Sequence, residues 1–267
     1  MTEVKNSPLT GDPRLAARLG KEIEGDVWFD AFSRGRYSTD ASAYQIEPIG
    51  VVVPRTWQDV ISAIQIAADE EIAVLPRGAG TSQCGQTVGQ ALVIDTSAYL
   101  NSVIKLDPDR QRVCVEPGMV LDHLNHHLSS HGLMFPVDVS TAAQATIGGM
   151  TGNNSCGARS IRYGTMRDNV RAISGILADG QRRRFDTLEE GAPRDGLEKQ
   201  LLEIGVSEAE EISRRFPKVQ RRVGGYNVDA LARSSGAEGI NLAHLLVGSE
   251  GTLAFSEEIE LQLVQIP

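Results

Sequence analysis

Residues 76–86 read Pro-Arg-Gly-Ala-Gly-Thr-Ser-Gln-Cys-Gly-Gln, and in this stretch the chain concentrates groups able to hold an anion. Gly78, Gly80 and Gly85 place no side chain between backbone and ligand and permit positive φ. Consecutive N–H groups can then converge on one anion, with the Thr81 and Ser82 hydroxyls as further donors. That chemistry suits a pyrophosphate. The stretch is not a Walker loop, which needs Gly-Lys-Ser/Thr. It is not the GxGxxG fingerprint either, because Gln83 stands where the third glycine belongs. Alone, it weighs no more than an ordinary glycine-rich turn.

Three further segments share this character. Residues 145–157 (ATIGGMTGNNSCG) hold four glycines among small polar residues. Ordering a glycine costs about 0.5–1 kcal/mol more than ordering alanine, a cost that a bound ligand would offset. Arg162-Tyr163-Gly164-Thr165 follows, and Gly248–Leu253 (GSEGTL) lies between two apparent strands.

The elements that must position these segments are legible from periodicity. Residues 1–47 are polar and read as an N-terminal extension with a short helix near 15–24. Strands are expected at 49–53, 72–75 and 91–95. A helix starting at Thr56, with Asp59 in its first turn, separates the first two. Residues 102–106 and 112–115 read as a hairpin turning at Asp107-Pro108-Asp109. A helix over 119–131 follows, with Leu121, Leu124 and Leu128 on one face. Residues 136–164 are expected as a long ordered loop, and a loop of that length is usually functional. Later expectations are strands at 170–178, 181–185, 243–247 and 255–263, and a helix over 197–216. The rhythm is α/β over about 49–115 (lobe one) and α+β, with more antiparallel signal, over about 116–264 (lobe two).

In order and spacing, the four segments resemble the FAD-binding domain of the p-cresol methylhydroxylase and vanillyl-alcohol oxidase type. The nearest branch resembles the glycolate oxidase, D-lactate dehydrogenase and D-2-hydroxyglutarate dehydrogenase group. Residues 217–231 (PKVQRRVGGYNVDAL) resemble an iron–sulfur-associated subgroup. The resemblance covers about residues 40–264 and implies a two-lobed α+β FAD-binding domain at 48–264.

It further implies that Pro76, Arg77, Gly78, Ala79, Gly80, Thr81, Ser82, Gly85 and Gln86 hold the FAD pyrophosphate and nearby ribose. Pro136, Asp138 and Ser140 would sit near the isoalloxazine or ribityl chain. Thr146, Gly148, Gly149, Gly152, Asn153, Ser155 and Gly157 would wrap the flavin, and Glu250, Gly251 and Thr252 would close the site from the second lobe. The reaction implied is hydride transfer from a small 2-hydroxy acid to FAD. A substrate domain, expected to be absent from this chain, would supply the catalytic acid/base groups, so none is named here. Two other readings stay open: an accessory subunit that completes its site with a partner chain, and a nucleotide-binding protein without redox chemistry.

Composition narrows the classes. The net charge of −9 argues against a polyanion partner such as nucleic acid. Cys84, Cys114 and Cys156 form no CxxC, which argues against an iron–sulfur cluster or structural zinc here and for a reducing, cytoplasmic setting. No apolar run reaches membrane-spanning length. His123 and His127 have metal-ligand spacing, but they lie off the leucine face and no third ligand is evident. No histidine falls in 76–86, where family members with histidyl-linked flavin carry theirs, so non-covalent FAD is expected.

Overall fold

The described residues build two main sheets and a two-stranded ribbon, and the glycine-rich segments gather where the two main sheets meet. The computed structural model describes residues 9–189, 191, 193–219, 221–232 and 239–267.

The first sheet begins earlier than the sequence suggests. Helix α1 (Pro13–Glu22) is capped by Asp12 and buries Leu15 and Leu19. Strand β1 (Asp26–Trp28) pairs antiparallel with β2 (Gly50–Val53), and α2 (Ala31–Tyr37) lies between them in sequence. The polar segment expected as an extension therefore supplies an edge strand and a packed helix to lobe one. Helix α3 (Trp57–Asp69) starts at the expected Thr56, in a reciprocal capping box with Asp59. Asp59 is buried and also accepts the backbone N–H groups of Glu24, Gly25 and Arg55 at 2.8–3.1 Å, which ties the N-terminal segment to this helix start. Strands β3 (Val74–Arg77) and β4 (Leu92–Asp95) complete a sheet of order β1-β2-β4-β3, with β2, β4 and β3 parallel. Full burial of β2 and β4 explains their continuous β-branched runs.

The hairpin β5 (Val103–Asp107) and β6 (Arg112–Val115) forms as expected but belongs to the second sheet, not to lobe one. Its partner is the last long strand, roughly 145 residues later in the chain, a pairing that local periodicity does not carry. Helix α4 (Leu121–Ser129) buries Leu121, Leu124 and Leu128, while His123 and His127 face solvent. Strand β7 (Leu133–Met134) leads into the region expected as a long loop. That region holds α5 (Ile147–Asn153) and α6 (Ser160–Tyr163), followed by α7 (Met166–Asn169). Glycine content masks α5 from a propensity reading; burial of Ile147 and Met150 and the Thr146 cap hold it.

Strands β8 (Val170–Ile176) and β9 (Arg182–Phe185) turn at Asp179-Gly180. The helix expected over 197–216 is two, α8 (Gly196–Ser207) and α9 (Ala209–Arg215). A 3-10 turn spans Val228–Leu231. Residues 243–247, expected as a strand, instead hold α10 (Ala243–Leu246), and the Asn241 side chain accepts the Ala243 N–H at its start. A short apolar run does not distinguish the two by periodicity. Strand β10 (Phe255–Gln262) alternates buried and half-buried residues, and β11 (Val264–Gln265) pairs with β7.

The second sheet is antiparallel, in order β5-β6-β10-β8-β9. Ile176 and Phe255 from this sheet pack in the core of the first, so the lobes share apolar contact. Arg182, Arg183 and Arg184 on β9 each meet carboxylates. Arg182 pairs with Glu257, whose side chain is 4% exposed.

Candidate functional site

A cavity of about 810 Å³ opens at the carboxyl ends of β3 and β4, with Pro76, Arg77 and Thr96 in its wall. The carboxyl ends of parallel strands are the usual ligand position in α/β sheets. Much of the remaining wall comes from residues 78–84, 86 and 87, the 138–141 loop, α5 and its flanks, Ser249–Gly251 and the start of β10.

The loop after β3 contributes unpaired backbone donors. Ala79, Gly80, Thr81 and Ser82 line the cavity, and among the described residues their four consecutive N–H groups have no hydrogen-bond partner. Such a run of donors offers an anion several charge-assisted bonds at once. Gly80 has φ +67°, which turns the chain between them. The Arg77 side chain, by contrast, is committed elsewhere. Its guanidinium donates to the carbonyls of Tyr37 (3.1 Å), Thr87 (2.8 Å) and Thr39 (2.8 Å). Arg77 lines the cavity as expected of a cofactor-holding residue, and its side chain also organises the loop.

Helix α5 offers space rather than donors. Its first N–H groups are taken: Ile147 by the Met119 carbonyl, Gly148 by that of Pro117, and Gly149 by the Thr146 hydroxyl. A Cβ at Gly78 would lie 2.1 Å from the Thr146 Oγ1, so the phosphate loop sits directly on the α5 cap. A Cβ at Gly149 would meet only that same hydroxyl, at 3.2 Å, with open space otherwise. Asp138 caps the next loop by accepting the Arg159 N–H at 2.9 Å, as expected of a turn carboxylate.

The 248–251 turn docks on the other end of α5, with Gly248 donating to Thr151 and Glu250 to Gly152. The Glu250 side chain accepts from Gln86 Nε2 at 3.2 Å, which links the turn to the phosphate loop. Burial raises the Glu250 carboxyl above its ordinary range, and the Gln86 bond opposes that rise.

His244, on α10 just ahead of this turn, is pulled down to about 4, first by burial and then by the Arg167 charge. A folded value below the unfolded one means that its contribution is fully present above about pH 6.5 and is lost as pH falls towards 4. A shift of this size corresponds to roughly 3 kcal/mol. Thermal melts of the native chain should therefore weaken between about pH 6.5 and 4, and His244→Gln should flatten that loss. Equal pH slopes in the two proteins would remove His244 as the cause.

Of the residues singled out in the sequence, Pro76–Ser82, Gln86, Asp138, Ser140, Thr146, Gly148, Gly149, Gly152, Asn153, Ser155, Gly157, Glu250 and Gly251 all line the cavity. Three do not. Pro136 is buried behind the wall, Gly85 abuts Tyr44, and the Thr252 hydroxyl donates to the Ser249 carbonyl at 2.6 Å. Sequence reasoning missed Pro117, Arg221 and Val223, which also line it. Arg221 sits in the 217–231 motif and donates to the Gly157 carbonyl at 3.1 Å. Pro117 belongs to no motif and is brought in by non-local packing. Among the described residues no group of His, Cys, Asp or Glu is placed to hold a metal.

Comparison with known proteins supports this picture. The D-2-hydroxyglutarate dehydrogenase of Escherichia coli is 33% identical over 279 residues, covering 98% of this chain and 27% of that protein. The glycolate oxidase subunit GlcD of Bacillus subtilis is 28% identical over 250 residues, covering 92% of this chain and 44% of its own. A mitochondrial cytochrome-type D-lactate dehydrogenase of Saccharomyces cerevisiae is 33% identical over 155 residues, covering 57% and 26% respectively. The chain thus spans less than half the length of each. Among solved structures, alkyldihydroxyacetonephosphate synthase shares the fold, with a TM-score of 0.68, 18% identity, and coverage of 96% of this chain and 41% of that one. The model of the FAD binding domain matches residues 48–186, just over half of the sequence. With a two-lobed α+β fold, a cradle of backbone donors and that match, the chain belongs to the FAD-binding domain family.

Proposed function

We propose that this chain is the FAD-binding part of a flavin-dependent dehydrogenase or oxidase that takes a hydride from a small 2-hydroxy acid. The observation that carries the reading is the run of four unpartnered N–H groups, Ala79–Ser82, in the wall of a cavity of about 810 Å³. These donors fit the pyrophosphate of FAD, and Thr81 and Ser82 add hydroxyls. Relatives named for D-2-hydroxyglutarate, glycolate and D-lactate support the substrate class.

When bound, FAD supplies the hydride acceptor. The chain's own residues do the holding. The N–H groups of the β3 loop bind the phosphates in a site partly screened from water, where such bonds are strong. Gly149 leaves room on the α5 side, while Gly152 lets the Glu250 backbone pack close. The Gln86–Glu250 bond ties the loop of lobe one to the turn of lobe two. A substrate domain or partner subunit completes the pocket over the flavin. Among the described residues no helix is long and apolar enough to cross a membrane.

No histidine lies in 76–86 and none lines the cavity among the described residues, which supports a cofactor held without a histidyl link. Reconstitution with FAD should give a flavin absorption spectrum. Acid precipitation should then leave the colour in the supernatant. A yellow pellet would show a covalent bond, and a protein that binds no FAD under any condition would remove the cofactor reading.

A further inference from the structure

The segment just ahead of the matched family region is built into the phosphate loop. Arg77 reaches it with two bonds, to the carbonyls of Tyr37 and Thr39, and with its third bond grips Thr87 beyond the loop. The Arg77 guanidinium also lies over the Tyr37 ring, 5.0 Å from its centre, and the Tyr37 hydroxyl donates to Asp95 at 2.7 Å. The Ala41 N–H donates to the Gly80 carbonyl at 3.1 Å, in the middle of the loop. The Thr87 hydroxyl donates to Asp40 Oδ2 at 3.0 Å, and Asp40 Oδ1 accepts the Ser42 N–H at 2.8 Å. A Cβ at Gly85 would lie 2.6 Å from the Tyr44 ring. The segment itself is shaped by a Thr39–Gln45 bridge and by the Ile46 N–H donating to the Ser38 carbonyl. Arg77 and Thr87 line the cavity, but Tyr37, Thr39, Asp40, Ala41 and Tyr44 do not.

We infer that residues 37–45 are a brace for the phosphate loop, tied to it by the Arg77 side chain, with Asp40 as a positioning residue that sets the loop's backbone donors from outside the cavity. The loop's N–H groups remain unpaired because its Gly80 carbonyl and both its ends are held from behind. An unbraced loop of this composition would pay its ordering entropy on binding, whereas a braced one has paid it on folding. The inference rests on FAD being the ligand of this cavity.

Asp40 separates bracing from electrostatics. Removing a carboxylate near a diphosphate site should tighten binding if charge alone matters. Bracing predicts the opposite for Asp40→Ala, which deletes the bonds to Thr87 and Ser42. Asp40→Asn removes the same charge but can keep both bonds, one through its carbonyl oxygen and one through its amide. The expected result is FAD affinity weakened about three- to tenfold in Asp40→Ala, the worth of a lost hydrogen bond, and at or above the native value in Asp40→Asn. Arg77→Gln should weaken binding as well, and adding Asp40→Ala to it should cost much less than Asp40→Ala alone, since both act on one unit.

Amide hydrogen exchange at Ala41, whose N–H donates to the Gly80 carbonyl, supplies a readout in the FAD-free chain that needs no cofactor. Exchange should quicken in Asp40→Ala and stay near native in Asp40→Asn. Native-like affinity and native-like exchange in Asp40→Ala would overturn the brace, as would equal effects in the two Asp40 variants. If the native chain bound no FAD, the cofactor reading would fail, and the exchange measurement alone would still decide whether residues 37–45 hold the loop.

Discussion

Gly149→Val should abolish measurable FAD binding while leaving the fold intact. Gly149 is the third residue of α5, at an ordinary helical conformation, and its N–H is already bound by the Thr146 hydroxyl. Nothing in the backbone requires glycine there, and replacing it with a side chain relieves an entropic cost in the unfolded state. The one protein atom within reach of an added Cβ is the Thr146 Oγ1 at 3.2 Å, and beyond it lies the cavity. A valine would therefore put two methyl groups into space that the cofactor needs, at little cost to the chain. We expect affinity to fall at least about a hundredfold, or about 2.7 kcal/mol, by lost shape complementarity. Fluorescence titration with FAD beside far-UV circular dichroism and a thermal melt would show it. Undiminished affinity would mean that the flavin does not pass along this face of α5.

Other glycines in the same motifs would give a different answer. At Gly157 an added Cβ would lie 1.9 Å from the Asp138 carbonyl oxygen, and at Gly148 it would lie 2.6 Å from Pro117 Cβ. These glycines exist because one backbone is packed on another, so substitution there disturbs the fold before it disturbs binding. Gly80 combines positive φ with an Arg77 guanidinium 2.6 Å from the Cβ position, so a side chain would also dislodge the brace. Of these positions, Gly149 separates binding from folding.

These distinctions bear on what the sequence reveals. The clustering of Gly78–Ser82 with 145–157 and 248–252 was legible because loops that approach a cofactor need glycine and small donors, and four such segments in one order resemble one family. The strands and α3 were legible because burial of a face imposes a period, and Thr56 with Asp59 marks a helix start. What stayed hidden was non-local. The β5–β6 hairpin carries no local sign of the sheet it joins. The α5 helix is held by packing against its own glycine-rich propensity. The resemblance names Arg77 as a cofactor-holding residue. Only the position of Tyr37 and Thr39, about 40 residues earlier in the chain, shows that its side chain also ties the loop to that segment. A side chain's type announces what it can bind, but the fold decides which partner arrives first.

The same reasoning governs turnover. Loaded with FAD, this chain alone should oxidise D-lactate, glycolate, D-malate or D-2-hydroxyglutarate at a negligible rate with an artificial dye as acceptor. Hydride transfer needs the substrate α-carbon held within about 3–3.5 Å of the acceptor atom as a near-attack conformer. It needs a base for the hydroxyl proton, which typically contributes about 10²–10⁴-fold. It also needs a cation for the carboxylate, best an arginine presenting two parallel donors. The cavity wall offers little of this among the described residues. No histidine lines it. Three of the five Arg77 N–H donors hold carbonyls, and the Asp138 carboxylate is capping the Arg159 N–H. Glu250 is held by Gln86 on the phosphate-loop side. Arg221 is the lining cation least encumbered, with one bond to the Gly157 carbonyl. A single exposed arginine binds a carboxylate weakly in water and supplies no proton acceptor. Steady-state rates should therefore stay far below about 1 per second, the lower end for ordinary enzymes. Flavin bleaching by excess 2-hydroxy acid under anaerobic conditions would report the half-reaction directly. Bleaching on the timescale of seconds would show that the wall described here already contains a complete site, with Arg221 and Glu250 the first residues to test as its clamp and base.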